Sequence, residues 1–86
     1  MITSAQYSVD GTAVKIVATN QGFRNVSIHP TTSGSIYIGP AGVTTSTGFL
    51  IDNATGPYSL LVAPQDEIWA TAASGTKTVT VITSGS

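Results

Sequence analysis

Short runs of alternating apolar and polar residues recur along this chain, each bounded by Gly, Pro, Asn or Ser. A period of two marks a strand with one buried face, and many such runs predict an all-β fold. We read strands over Gln6–Val9, Ala13–Thr19, Asn25–His29, Ser35–Ile38, Phe49–Ile51, Ser59–Val62, Glu67–Ala73 and Lys77–Thr83. Together they predict a small antiparallel β-sandwich or barrel of about seven or eight short strands. In the second run Val14, Ile16 and Ala18 share one face; in the third, Val26 and Ile28 oppose Ser27 and His29. Pro30, Pro40, Pro57 and Pro64 all fall between runs, where a missing N–H breaks no ladder. Val, Ile and Thr are frequent while helix-favouring Leu, Glu, Lys and Arg are scarce, so no segment reads as a helix.

The last two runs predict a hairpin. A two-residue turn at Ser74-Gly75 would set Ala70 opposite Val79, Ile68 opposite Val81 and Trp69 opposite Thr80. One face would then be apolar and the other rich in hydroxyls, with Trp69 its one large apolar group. The middle of the chain is turn material at Thr31-Thr32-Ser33-Gly34 and Gly39-Pro40-Ala41-Gly42, and a hydroxyl-rich loop or weak edge strand at residues 44–48. This divides the chain into an extended N-terminal segment, 1–12, as a candidate contact arm; a β-sandwich domain, 13–83; and a tail, 84–86. Asp52-Asn53 with Gly56 reads as a turn.

Composition narrows the chemistry. The 86 residues include no Cys, so no disulfide, thiolate metal site or redox pair can form within the chain. Charged residues make up 8 % against about 25 % in an average soluble domain, and the net charge is −1. Fourteen Thr and ten Ser supply much of the polar surface in their place. Such a surface lacks the charge repulsion that keeps small proteins apart, which predicts that much of it is covered in the working state. Three basic residues spread along the chain give no footprint for nucleic acid. No window carries the roughly 18–20 apolar residues of a membrane helix. Met1 to Gln6 lack the basic start and apolar stretch of a secretory signal, so the acceptors at Asn25-Val26-Ser27 and Asn53-Ala54-Thr55 read as chance matches.

Little here could perform a reaction. His29 is the one imidazole, and the Gly-x-Ser-x-Gly elbow that would present a nucleophile is missing. Asp66 and Glu67 are adjacent, so on a strand their carboxylates point to opposite faces and cannot converge on one ion. The glycines at 34, 39, 42 and 48 lack the helix and the Lys of a phosphate loop. We therefore expect no catalytic residue, no metal, no cofactor and no enzyme. Alternation sets Tyr37 and Trp69 on the faces opposite their apolar neighbours, where Tyr and Trp serve as interface anchors. The interface candidates are these two with Ile2 and Tyr7 of the N-terminal segment, and Phe23 and Arg24 ahead of the third strand.

The segment Ser35-Ile36-Tyr37-Ile38-Gly39, the Gly loop, Val43-Thr44, Gly48-Phe49 and the closing Asp66-Glu67-Ile68-Trp69-Ala70 resemble small virion proteins of tailed bacteriophages. The resemblance spans about Gly34 to Thr83 and is similar to capsid decoration (cement) proteins. It implies a homotrimer on the outer surface of the virion, made in the host cytoplasm, that bridges subunits of the major capsid protein and stabilises the shell. Alternatives are a tail or head-fibre component, and a carbohydrate- or receptor-binding module.

Overall fold

The computed structural model describes residues 2–19, 22–32, 34–54 and 57–85. Within them run eight strands: β1 (Ile2–Val9), β2 (Val14–Val17), β3 (Arg24–Pro30), β4 (Ser35–Gly39), β5 (Phe49–Asp52), β6 (Tyr58–Val62), β7 (Ile68–Thr71) and β8 (Lys77–Gly85). They form two four-stranded antiparallel sheets, β1-β8-β3-β6 (sheet A) and β2-β7-β4-β5 (sheet B). This strand order is that of a jelly roll, the two-sheet form of the predicted sandwich. Among the segments read from sequence, the 31–34 turn, the Asn53 acceptor, the 52–56 turn, and the N-terminal and C-terminal segments each include a residue (Ser33, Thr55, Gly56, Met1 or Ser86) outside the described residues.

The core lies between the sheets and follows the pleat. In β3 the inward set is Arg24, Val26, Ile28 and Pro30, in β4 Ile36 and Ile38, in β7 Ile68 and Ala70, in β8 Val79 and Val81. Ile28, Ile36, Ala70 and Val79 are fully buried at 0 % exposure. β-branched residues dominate because they hold the extended backbone and fill the space between sheets with few rotamers to lose.

The predicted hairpin between the last two strands does not form. β7 belongs to sheet B and pairs with β2 and β4, while β8 belongs to sheet A and pairs with β1 and β3. Ile68 and Ala70 therefore meet Val79 and Val81 as opposing walls of the core rather than as ladder neighbours. Either arrangement satisfies the alternation, since it reports which face is buried and not which strand lies beside it. Gly75, at φ 65°, lies in the connection that crosses from one sheet to the other.

β1 is longer than its apolar pattern suggests. Ile2 to Gln6 are exposed on both faces, yet all eight residues of β1 pair with β8, from Ile2 opposite Ser84 to Val9 opposite Lys77. Only its far end reaches the core, through Tyr7 and Val9. On β8, Ser84 and Gly85 stay in the ladder, opposite Asn25 and Arg24 of β3.

Candidate functional site: sheet edges and outer faces

An open sandwich has four edge strands, each with one side lacking a ladder partner. Here these are β1 and β6 in sheet A and β2 and β5 in sheet B. Natural edges are blunted by charge, proline, bulges or brevity. β2 carries Lys15 and a register shift between Lys15 and Val17, and β5 has only four residues, ending at Asp52. β1, with the sequence ITSAQYSV, and β6, with YSLLV, contain no charge and no proline. Sheet A is therefore open at both sides.

Exposed apolar side chains gather at the same places. Leu61 on β6 is 60 % exposed and Ile2 on β1 is 69 % exposed. Phe49 and Leu50 of β5 are also exposed, and the Phe49 ring stacks on Tyr58 of β6 with centroids 4.9 Å apart. That contact bridges the free edges of the two sheets. Beside it runs an apolar groove of about 390 Å³ whose walls include Phe49, Tyr58, Leu60, Leu61 and Ile68.

The six interface candidates fall in three places. Ile2 lies on the outer face of β1, and Phe23 is exposed just before β3, its carbonyl close to Gly85, which follows the Ser84 partner of Ile2. Tyr7 and Arg24 line a cleft between the β1 and β2 edges. Arg24 is 5 % exposed, and its guanidinium donates to the carbonyl of Ala18 and, at 2.9 Å, to that of Asp66. Its Nε is buried with no hydrogen-bond partner. The side chain thus ties the end of β2 and the 63–67 turn to the start of β3.

Tyr37 and Trp69 share the outer face of sheet B, where Trp69 lies opposite Lys15 on one side and Gly39 on the other. The loop 40–48 folds over part of this face and buries Val43, apart from the main core. Gly48 is fitted tightly beneath it: a Cβ there would sit 2.6 Å from the Tyr37 Cβ and 3.0 Å from the Thr44 carbonyl oxygen. Gly48→Ala should therefore destabilise the fold by about 1–3 kcal/mol, read as a lower urea midpoint.

Charge on the outer face of sheet B is arranged around Trp69. Its Nε1–H donates to Glu67 Oε1 at 2.8 Å, and Lys15 Nζ lies 3.5 Å from Glu67 Oε2 and 5.7 Å from the Trp69 ring centroid. The Trp69 hydrogen bond is the main reason the Glu67 carboxyl titrates below its ordinary 4.5; partial desolvation opposes it and Lys15 reinforces it. A carboxyl lowered in the folded state stabilises the fold above its unfolded pKa, and that contribution is lost as pH falls through the folded value. Trp69 fluorescence should accordingly change on acidification below the ordinary carboxylate range, and Glu67→Gln should flatten that change.

Sheet A has a different outer face. Ser27 and Ser59 hydroxyls share a hydrogen bond at 2.8 Å, and Gln6, Thr80 and His29 follow in the next cross-strand row on this face. His29 Nδ1 is buried without a partner, and no carboxylate is within ion-pair distance of the ring among the described residues. No group of three His, Asp or Glu side chains able to hold a metal occurs among the described residues. An open depression of about 620 Å³ lies over these rows, walled by Gln6, Ser27, His29, Ser59, Thr80 and Ile82, so this face offers a hydroxyl-rich hollow between two unpaired edges.

No protein-family model matches the sequence, and no curated protein matches it. A solved structure described as "Bacillus endospore appendages form a novel family of disulfide-linked pili" does match. The TM-score is 0.65 at 19 % sequence identity, over 96 % of this chain and 83 % of that one. The likeness establishes a shared fold. It also overturns the resemblance to bacteriophage capsid decoration proteins, which rested on strand and turn residues alone. With that resemblance go the major capsid protein as partner, the homotrimer and the virion surface as location.

Leu61, Phe49 and Leu50 are absent from the sequence-derived candidates, although the sequence carries a signal for the two leucines. Where two or three apolar residues stand consecutively in a strand, as in Leu60-Leu61 and Phe49-Leu50-Ile51, the pleat must turn one of them outward.

Proposed function

We propose that this chain is a non-enzymatic structural subunit that joins to copies of itself to build a filament. The observation that carries this reading is the pair of uncharged, proline-free edges on one sheet, each beside an exposed aliphatic side chain. Such edges are aggregation hazards in a monomer and are retained where strand pairing between chains is the purpose. With 8 % of its residues charged, the chain lacks the repulsion that would oppose close packing of copies. The shared fold with a pilus protein supports the same reading.

This chain departs from that relative in one respect. The relative's pili are described as disulfide-linked, whereas this sequence has no Cys and its filaments are held without disulfides through it. Multimers should form as protein concentration rises and should be unaffected by reducing agent. Sizing by sedimentation with and without dithiothreitol tests both points; a monomer at every concentration contradicts the reading.

A further inference from the structure

We infer that β1 of one copy docks along the free edge of β6 of the next, antiparallel, so that sheet A continues from subunit to subunit. This deepens the filament reading and rests on it. Three features of sheet A lead to it.

The first is strand direction. Each neighbour in β1-β8-β3-β6 is antiparallel, so β1 and β3 run one way and β8 and β6 the other. A second copy set beside β6 in the same orientation presents a β1 that runs opposite to β6. The extended sheet keeps its antiparallel hydrogen-bond pattern with no subunit turned over.

Residue matching is the second. Cross-strand partners trace rows across the sheet: Ile2, Ser84, Asn25 and Leu61 form one, and Thr3, Thr83, Val26 and Leu60 the next. Ser4, Ile82, Ser27 and Ser59 follow, then Ala5, Val81, Ile28 and Tyr58. Continuing each row into the next copy brings its Ile2 beside Leu61, the two exposed aliphatic residues at opposite ends of one row. On the inward side, its Thr3 and Ala5 come beside Leu60 and Tyr58, covering the apolar groove at Phe49.

The third is that these segments are unused within the chain. Ile2 to Gln6 are exposed on both faces although the strand is fully laddered to β8. The sheet B edges fit this role less well, with the bulge and Lys15 on β2 and four residues on β5. A contact that uses different surfaces on its two sides is heterologous, and repeated without closing it yields an open filament.

Because the chain has no Cys, engineered pairs report cleanly. Ile2→Cys with Leu61→Cys in one chain, oxidised in air with a copper catalyst, should give a ladder of multimers on a non-reducing gel. Each single variant should stop at dimers or below. Both sites are exposed, so the fold tolerates the changes. A second double variant, Lys15→Cys with Leu50→Cys, marks the sheet B edges. Sedimentation multimers with a ladder from the sheet B pair, or from neither pair, overturn the β1–β6 contact while the filament reading stands. Single Cys variants that convert fully to dimers indicate a two-fold contact and likewise overturn it. Absence of multimers in sedimentation removes the filament reading as well.

Discussion

Ile28→Ala should be the most destabilising single substitution in sheet A, lowering stability by about 2–5 kcal/mol. Ile28 is 0 % exposed and sits on β3, paired with Tyr58 of β6 on one side and Val81 of β8 on the other. Truncation removes buried methyl and methylene groups and leaves a cavity between sheets that cannot close, because both neighbouring strands are laddered to β3. Domains hold only about 5–15 kcal/mol in total, so such a loss takes a large part of the stability of an 86-residue chain. Ile28→Val should cost about 0.5–1.5 kcal/mol. Urea denaturation followed by Trp69 fluorescence, at a concentration where the protein is monomeric, separates the two. Equal midpoints for Ala and wild type would mean that the core is not packed as described.

Arg24→Ala should rank second, at about 2–4 kcal/mol. The guanidinium fills space at one end of the sandwich and satisfies the carbonyls of Ala18 and Asp66. Alanine leaves a void and two acceptors without their donor. Arg24→Met should cost less than Arg24→Ala, because both remove the same charge and donors while Met refills most of the buried volume. The same urea series checks the order, and a Met variant less stable than the Ala variant would show that the space around Arg24 does not accept an apolar side chain of that length.

The eight strands are legible in the sequence because β-branched alternation points to them; proline placement is a less exact guide, since Pro30, expected between strands, ends β3 opposite Val79. Val26 and Ile28 against Ser27 and His29 leave little choice of face. What alternation does not encode is partnership. The Ile68–Ala70 and Val79–Val81 faces suit a hairpin as well as two opposing walls, and the jelly-roll path sends them to different sheets. Similarly, Ile2 to Gln6 carry no one-sided pattern because neither of their faces is covered. Their strand character comes from β8, far along the chain.

Interface residues are harder to read for a related reason. Tyr37 and Trp69 stand out as large side chains on an outward face, and they do lie on the outer face of sheet B, with Gly48 fitted against Tyr37 and Glu67 and Lys15 gathered around Trp69. Leu61 carries a fainter mark, as one of two consecutive leucines that cannot share a face. Its importance emerges only when the register places it in one row with Ile2, at the other side of the sheet.

The low charge of the chain has a consequence for assembly. Contacts made through backbone ladders and aliphatic side chains depend weakly on ionic strength, unlike those steered by charge. Assembly should therefore survive added salt, and its pH dependence should come from few groups.

The most direct test of self-assembly is electron microscopy of the unmodified protein, concentrated in steps and sampled in parallel by sedimentation. Self-assembly through open sheet edges predicts species growing in increments of the 8.7 kDa subunit and, at high concentration, filaments that persist in dithiothreitol. A single 8.7 kDa species across the whole range, with empty grids, would contradict it.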